Sequence, residues 1–316
     1  MKILVTGGAG FIGSHLCDKL IGTGNEVVCL DNFNDYYDPS IKRNNIKTLL
    51  ENPHFKLYEN DILNQEFLET LFADERFDLI VHLAARAGVR PSLQNPRLYQ
   101  KVNIEGTGNL LELSAKHGIT KFVLASTSSV YGNNKKVPFS ESDFVDHPIS
   151  PYAATKKACE LIAYTYHTLY QMNVTCLRFF TVYGPRQRPD MAIHKFAKLI
   201  REGKEIPMYG DGSSRRDYTY VDDIIDGVVK SIEHCKGYNV YNLGESQTIE
   251  LKKLIDLIAN ALGEKAKIKQ MPEQPGDVKI TYADISKAVN EIGYHPTTSI
   301  EAGIPKFVDW FLKTIQ

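Results

Sequence analysis

Short runs of aliphatic and β-branched residues alternate with amphipathic stretches through the first half of the chain. The apolar runs are Lys2–Thr6, Glu26–Leu30, Phe55–Glu59, Leu79–Leu83, Lys121–Ala125 and Val174–Phe179. Several are almost continuously hydrophobic, the pattern of strands covered on both faces. Helical patterns lie between them, such as Ile12–Ile21 and Leu98–His117. This alternation predicts an α/β fold with a doubly wound parallel sheet and right-handed crossovers. The polar segment Asn32–Asn52, with Asp35-Tyr36-Tyr37-Asp38-Pro39, reads as a loop and helix inserted over the surface.

Past residue 181 the pattern changes. Proline, glycine and arginine cluster in Tyr183–Pro189 and again around Tyr209–Arg216. Leu251–Leu262 carries apolar residues at 251, 254, 255, 258 and 262, a helical stripe. A last helix opens at Thr298-Ser299-Ile300-Glu301, read as a capping box, with apolar positions 300, 304, 307, 308, 311 and 315 turned to a core. The expected organisation is a dinucleotide-binding (Rossmann-type) domain over 1–181 and a smaller mixed α/β substrate domain over 182–316. The two are interleaved by a returning segment near 217–247, where Tyr238–Leu243 brings a strand back to the main sheet.

Composition narrows the function classes. Thirty-seven basic residues stand against 38 acidic ones, a net charge of −1. A nucleic-acid-binding surface usually needs a basic excess, so no nucleic-acid partner is expected. With 43% hydrophobic and 24% charged residues the chain is an ordinary globular one. The five cysteines form no C-x-x-C pair and no metal-ligand spacing, so buried free thiols and no metal are expected. No apolar run approaches the roughly 20 residues of a membrane span, and the first residues do not read as a signal peptide. The expectation is a cytoplasmic protein with no membrane partner.

The chemistry begins at Gly7-Gly8-Ala9-Gly10-Phe11-Ile12-Gly13, between the first strand and the first helix. Gly7, Gly10 and Gly13 let the backbone turn tightly and approach a pyrophosphate, which the helix N-terminus at Phe11 and Ile12 then receives. The second strand ends at Asp31, followed by Asn32, and a carboxylate there suits a ribose diol and opposes a 2′-phosphate, which favours NAD over NADP. Asp61, beside Ile62 after the third strand, could reach an adenine amino group or could cap a helix. Leu83-Ala84-Ala85 ends the fourth strand with small residues that let a cofactor pass.

Ser150-Pro151 reads as an N-cap and first helical residue, so Tyr152 and Lys156 share one helix face. An ammonium beside a phenol lowers its pKa, a positively charged nicotinamide nearby would lower it further, and the resulting tyrosinate can act as a base near neutral pH. A hydroxyl cluster, Ser126-Thr127-Ser128-Ser129, lies at the carboxyl end of a strand, where open α/β sheets bind ligands.

Together these motifs resemble the extended short-chain dehydrogenase/reductases, and specifically their nucleotide-sugar 4-epimerases, over essentially the whole chain. The resemblance implies Tyr152 as base, Lys156 as the residue that holds the nicotinamide ribose and lowers the tyrosine pKa, and Thr127 as the catalytic hydroxyl. It also places Asn103 among the cofactor contacts. The relatives that dehydrate the sugar carry Asp-Glu after the threonine, and the decarboxylases carry Glu two residues after it; here Ser128-Ser129 follow. Arg178–Ala192 and Ala85-Arg86-Ala87-Gly88-Val89-Arg90 resemble segments of UDP-glucuronate 4-epimerases. Thr181 and Arg188 would suit a C6 carboxylate, with Ser128 and Ser129 beside it. Arg90, Ala192, Tyr209, Arg216 and Asp277 complete the implied UDP-sugar contacts, while Gln274 stands where an arginine is usual. The expected reaction converts UDP-glucuronate and UDP-galacturonate through a 4-keto sugar with tightly held NAD, in a homodimer built on helices near 98–117 and 152–170. A neutral-sugar epimerase, a UDP-glucuronate decarboxylase and a non-catalytic NAD-binding regulator are the alternatives.

Overall fold

The computed structural model describes residues 1–272 and 279–314. Strand β1 (Lys2–Thr6) leads through α1 (Phe11–Gly22) to β2 (Glu26–Asp31). The inserted segment holds α2 (Pro39–Asn45), capped by Asp38, whose carboxylate takes Ser40 N at 2.9 Å. Then follow β3 (Phe55–Glu59), α3 (Gln65–Asp74) and β4 (Leu79–His82). The stretch expected as one helix over 98–117 is broken. After α4 (Val89–Gln94), α5 (Pro96–Tyr99) runs into a π-turn at Gln100–Glu105 before α6 (Gly106–Lys116). The wide turn carries Asn103, whose amide grips Arg86 N at 2.8 Å and Arg86 O at 3.1 Å, and such bulges are frequent at functional sites.

The second half of the main sheet comes from β5 (Lys121–Thr127) and β6 (Asn173–Phe179), joined through α7 (Pro151–Tyr170). Next come β7 (Thr181–Tyr183), α8 (Ala192–Arg201), β8 (Glu205–Tyr209), β9 (Arg215–Arg216), β10 (Tyr218–Tyr220) and α9 (Val221–Glu233). Strand β11 (Tyr238–Leu243) then pairs in parallel with β6, completing a seven-stranded parallel sheet of order β11-β6-β5-β4-β1-β2-β3. The chain ends with β12 (Ile249–Glu250), α10 (Leu251–Leu262), β13 (Lys267–Met271), α11 (Ser286–Ile292) and α12 (Ile300–Thr314).

Alternation along β1 explains the layering. Ile3 and Val5 face one core with α1, α8, α9 and α12, whereas Leu4 faces the other with α3, α6 and α7. All five cysteines are buried and free. The smaller strand pairs are tied to the main body by Asp217. Its buried carboxylate takes Glu245 N at 2.8 Å, Ser246 N at 3.1 Å and Ala283 N at 3.1 Å. Burial pushes this carboxyl up to about 6. The cap of α12 differs from the expected capping box. Ser299 Oγ takes Ala302 N at 3.3 Å, while Thr298 N is spent on Asp223 at 3.0 Å and Glu301 pairs with Lys253 at 2.7 Å.

One surface feature has a pH signature. Glu75, at the end of α3, accepts from Lys2 Nζ, from Lys56 Nζ at 2.7 Å and from Tyr58 Oη at 2.9 Å. The Lys2 hydrogen bond leads these in holding its carboxyl down at about 2. A depressed folded pKa contributes stability above the unfolded value and loses it as the pH falls through the folded one. Because both lysines are partly exposed, Glu75→Gln should cost about 1 kcal/mol at pH 7. Urea unfolding should show that gap closing between pH 4.5 and about 2; a gap constant over that window would contradict the assignment.

Candidate active site

The strand order reverses between β1 and β4, and ligands of such sheets bind outside the carboxyl ends of the strands at that point. A cavity of 630 Å³ lies there. Gly7, Gly10, Phe11, Ile12, Gly13, Asp31, Asn32, Asp61, Ile62, Leu83, Ala84 and Ala85 line it on the β1–β4 side. Thr127, Ser128, Ser129, Tyr152, Lys156, Thr181 and Arg188 line it on the β5–β7 side. Residues scattered over 180 positions thus meet in one cleft because the parallel topology puts every βα turn on the same edge.

The glycine turn is built for close approach. Gly7 has φ +71° and sits so near β4 that a Cβ would lie 2.8 Å from Ala84 N; a Cβ on Gly13 would lie 2.1 Å from Gly7 O. Gly10 caps α1 with no side chain, and no acidic residue stands in the first turn, leaving the N-terminal N–H groups for an anion. Asp31 is buried, and Oδ1 takes Phe33 N at 3.0 Å and Lys42 Nζ at 2.9 Å. The inserted α2 therefore supplies a cation that tempers the charge expected to reject a 2′-phosphate. Asn32 Nδ2 donates to Asp61 Oδ2 at 2.7 Å, and Asp61 Oδ1 takes Leu63 N at 2.9 Å. Asp61 is not the helix cap: Asn64 caps α3 through Phe67 N at 3.2 Å. The turn, the open helix end and the carboxylate at the tip of β2 fit a dinucleotide.

At the other end, Ser150 Oγ takes Ala153 N at 3.1 Å and Pro151 starts α7, as its residue types require. Tyr152 and Lys156 face the cavity one turn apart. Lys156 is buried and donates to Ala125 O at 2.8 Å. Burial pushes its ammonium down, opposed in part by Glu160. Burial pushes the Tyr152 phenol up, and what pulls it back is the hydrogen bond of Thr127 and the charge of Arg188. The lysine is turned to the Ala125 carbonyl, one helical turn from the phenol. Thr127 Oγ1 also lies 3.2 Å from Ser129 Oγ and accepts from Ser129 N at 3.2 Å, which fixes the hydroxyl cluster.

Arg188 lines the cavity, but its fork is already used: Nε and Nη2 donate to the two oxygens of Asp190 at 2.9 Å each. Its guanidinium lies 5.4 Å from the centre of the Tyr36 ring. Several expected contacts lie off the cavity. Asn103 is behind the wall, where it also donates to Thr155 Oγ1 at 3.0 Å. Arg90 stacks on Tyr209 at 5.3 Å. Ala192 starts α8 and is exposed, and Arg216 belongs to β9 paired with β12. None of these lines the cavity. Asp277 and Gln274 lie outside the described residues. The sequence reading missed Tyr36, Tyr37, Lys42 and Arg86, all lining residues. The paired tyrosines of the insert were the available signal.

The family profile described as GDP-mannose 4,6 dehydratase matches residues 4–307. The chain is 46% identical over 314 residues to a UDP-glucuronate 4-epimerase of Thermodesulfobacterium geofontis, spanning 99% of this chain and 97% of that protein. Among solved structures, the UDP-glucuronic acid 4-epimerase of Bacillus cereus, in complex with UDP-glucuronic acid and NAD, superposes with a TM-score of 0.93 at 39% identity, covering 99% of this chain and 100% of the other. The UDP-glucose 4-epimerase of Thermotoga maritima, with UDP-glucose, gives 0.92 at 36% identity, covering 100% of both chains.

Proposed function

The chain belongs to the GDP-mannose 4,6 dehydratase family of extended short-chain dehydrogenase/reductases, and from that membership we propose that it is an NAD-dependent UDP-glucuronate 4-epimerase that forms UDP-galacturonate reversibly. One observation carries the reading. Among the described lining residues the carboxylates are Asp31 and Asp61, both at the glycine-turn end, while the reacting end offers hydroxyls, a tyrosine, a lysine and an arginine. Dehydration needs an acid and a base beside the tyrosine, and none is there.

NAD, when bound, supplies the acceptor and the donor of the hydride. Tyr152 takes the proton of the 4-hydroxyl, directly or across the Thr127 hydroxyl, and later returns it. Lys156 holds the ribose and adds positive charge. A 4-ketone beside a C5 carboxylate is a β-keto acid, which loses carbon dioxide when the C5–carboxyl bond aligns with the ketone π system. Thr181, Ser128, Ser129 and Arg188 keep that bond out of line. The substrate carboxylate takes the guanidinium edge left by Asp190 or exchanges with it. Arg188→His should raise KM for UDP-glucuronate about tenfold and release UDP-4-keto-pentose; unchanged KM and clean product would remove Arg188 from this role.

A second reading, epimerisation of a neutral UDP-sugar, is favoured by the Asp190 grip on Arg188, which leaves less of the fork for a substrate carboxylate. Incubation with UDP-glucuronate, UDP-glucose and UDP-N-acetylglucosamine without added cofactor, with products identified by NMR, separates the two. Leu161, Tyr164, Leu169 and Tyr170 are exposed on α7, which supports a homodimer through this helix and its neighbour α6. No helix among the described residues is long and apolar enough to cross a membrane, and we place the enzyme in the cytoplasm.

A further inference from the structure

Behind the catalytic wall runs a chain of buried polar groups that the reaction above does not use. Glu160 stands one turn beyond Lys156 on α7 and is 1% exposed. A buried carboxylate is costly unless its lone pairs are filled. Here Oε1 takes Arg178 Nε at 2.9 Å and Ser126 Oγ at 2.6 Å, and Oε2 takes Arg178 Nη2 at 2.9 Å and Lys157 Nζ at 3.3 Å. Arg178, on β6, is 2% exposed. Its Nη1 donates to Tyr131 Oη at 3.0 Å, and its guanidinium lies 5.0 Å from the centre of that ring. Tyr131 in turn donates to Asn242 Oδ1 at 2.6 Å. Asn242 Nδ2 donates to Phe139 O at 2.9 Å and to Asp284 O at 3.0 Å.

The chain therefore grips α7 one turn past Lys156 and β5 one residue before Thr127. Those are the two elements that carry the reacting groups. It continues through Tyr131 and β11 to the segments around 139 and 284. Nothing in stability alone demands ions here, since a well-packed apolar pair commonly serves as well as a buried ion pair. What the ions add is direction: a two-pronged guanidinium–carboxylate fork fixes both angle and distance between helix and strand.

We propose that Glu160 and Arg178 are positioning residues of the epimerase, locking α7 to the end of β5 so that Tyr152, Lys156 and Thr127 hold one geometry. Neither touches substrate or cofactor. The inference rests on the reading of those three residues as the reacting groups.

The test compares the wild-type holoenzyme with Glu160→Gln/Arg178→Met, Ser126→Ala and Tyr152→Phe. The double variant removes both charges and keeps side-chain volume. It should keep its melting temperature and bound NAD, and its KM should stay within about threefold, while kcat falls about 100-fold from lost alignment. Recovery of wild-type kcat together with wild-type stability would overturn the proposal, since a purely structural pair would be replaced without catalytic cost. Should the double variant fail to fold, Ser126→Ala decides. Loss of its one hydrogen bond should cut kcat about fivefold at constant KM, and an unchanged kcat would overturn the proposal. Tyr152→Phe separates the two levels. If it stays active, the reading of the reacting groups fails; if it is dead while the double variant is fully active, only the positioning role fails.

Discussion

Tyr152→Phe should lower kcat by about 10³-fold or more, the upper part of the range for a lost general acid–base group. The phenol is the cavity's sole tyrosine placed against Thr127 among the described lining residues, and the Thr127 hydrogen bond already pulls on it. Removal of one oxygen leaves the ring, its edge-on contact with Tyr99 at 6.2 Å and the Lys156–Ala125 bond at 2.8 Å in place. The variant should therefore fold and keep NAD, so the loss appears in turnover and not in cofactor content. NMR progress curves give the rate, and absorbance of the cofactor released on denaturation gives the occupancy. Turnover within tenfold of wild type (about 1.4 kcal/mol) would show that another group takes the proton.

Gly13→Ala should have the second large effect, and a different one. The added methyl would stand 2.1 Å from Gly7 O and 2.7 Å from Gly8 Cα. Both neighbours are backbone and cannot rotate away. Relief requires α1 to move off the turn between β1 and α1, and the turn is the floor of the dinucleotide site. Overpacking of this kind costs about 3 kcal/mol or more. Purified Gly13→Ala should melt lower and carry little or no NAD, whereas Tyr152→Phe should carry a full complement. A Gly13→Ala protein with normal NAD content would mean that the turn is looser than its distances indicate.

The sheet was legible because its strands are buried on both faces and so read as apolar runs. The glycine turn, Asp31 and the Tyr152–Lys156 pair were legible because their chemistry is local. They sit in motifs a few residues long that fold the same way wherever they occur. What was not legible depends on long-range company. Nothing near Asp31 in sequence announces Lys42, which the insert swings back 11 residues later. Arg188 suits a carboxylate by residue type, but its partner Asp190 is two residues away and satisfies it first. The break at Gln100–Glu105 contains no proline or glycine to mark it, and in it Asn103 holds the Arg86 backbone. Helical spacing gives the nearness of Tyr152 and Lys156 but neither their burial nor the carbonyl to which the ammonium turns.

The cavity is expected to invert C4 of a uronate while holding its carboxylate still. The most direct measurement follows UDP-glucuronate labelled with deuterium at C4, incubated with the enzyme as purified and no added cofactor, by NMR. The expected product is UDP-galacturonate that retains deuterium at C4, with no UDP-pentose formed. A UDP-pentose, or an unchanged UDP-glucuronate beside turnover of UDP-glucose, would contradict that reading.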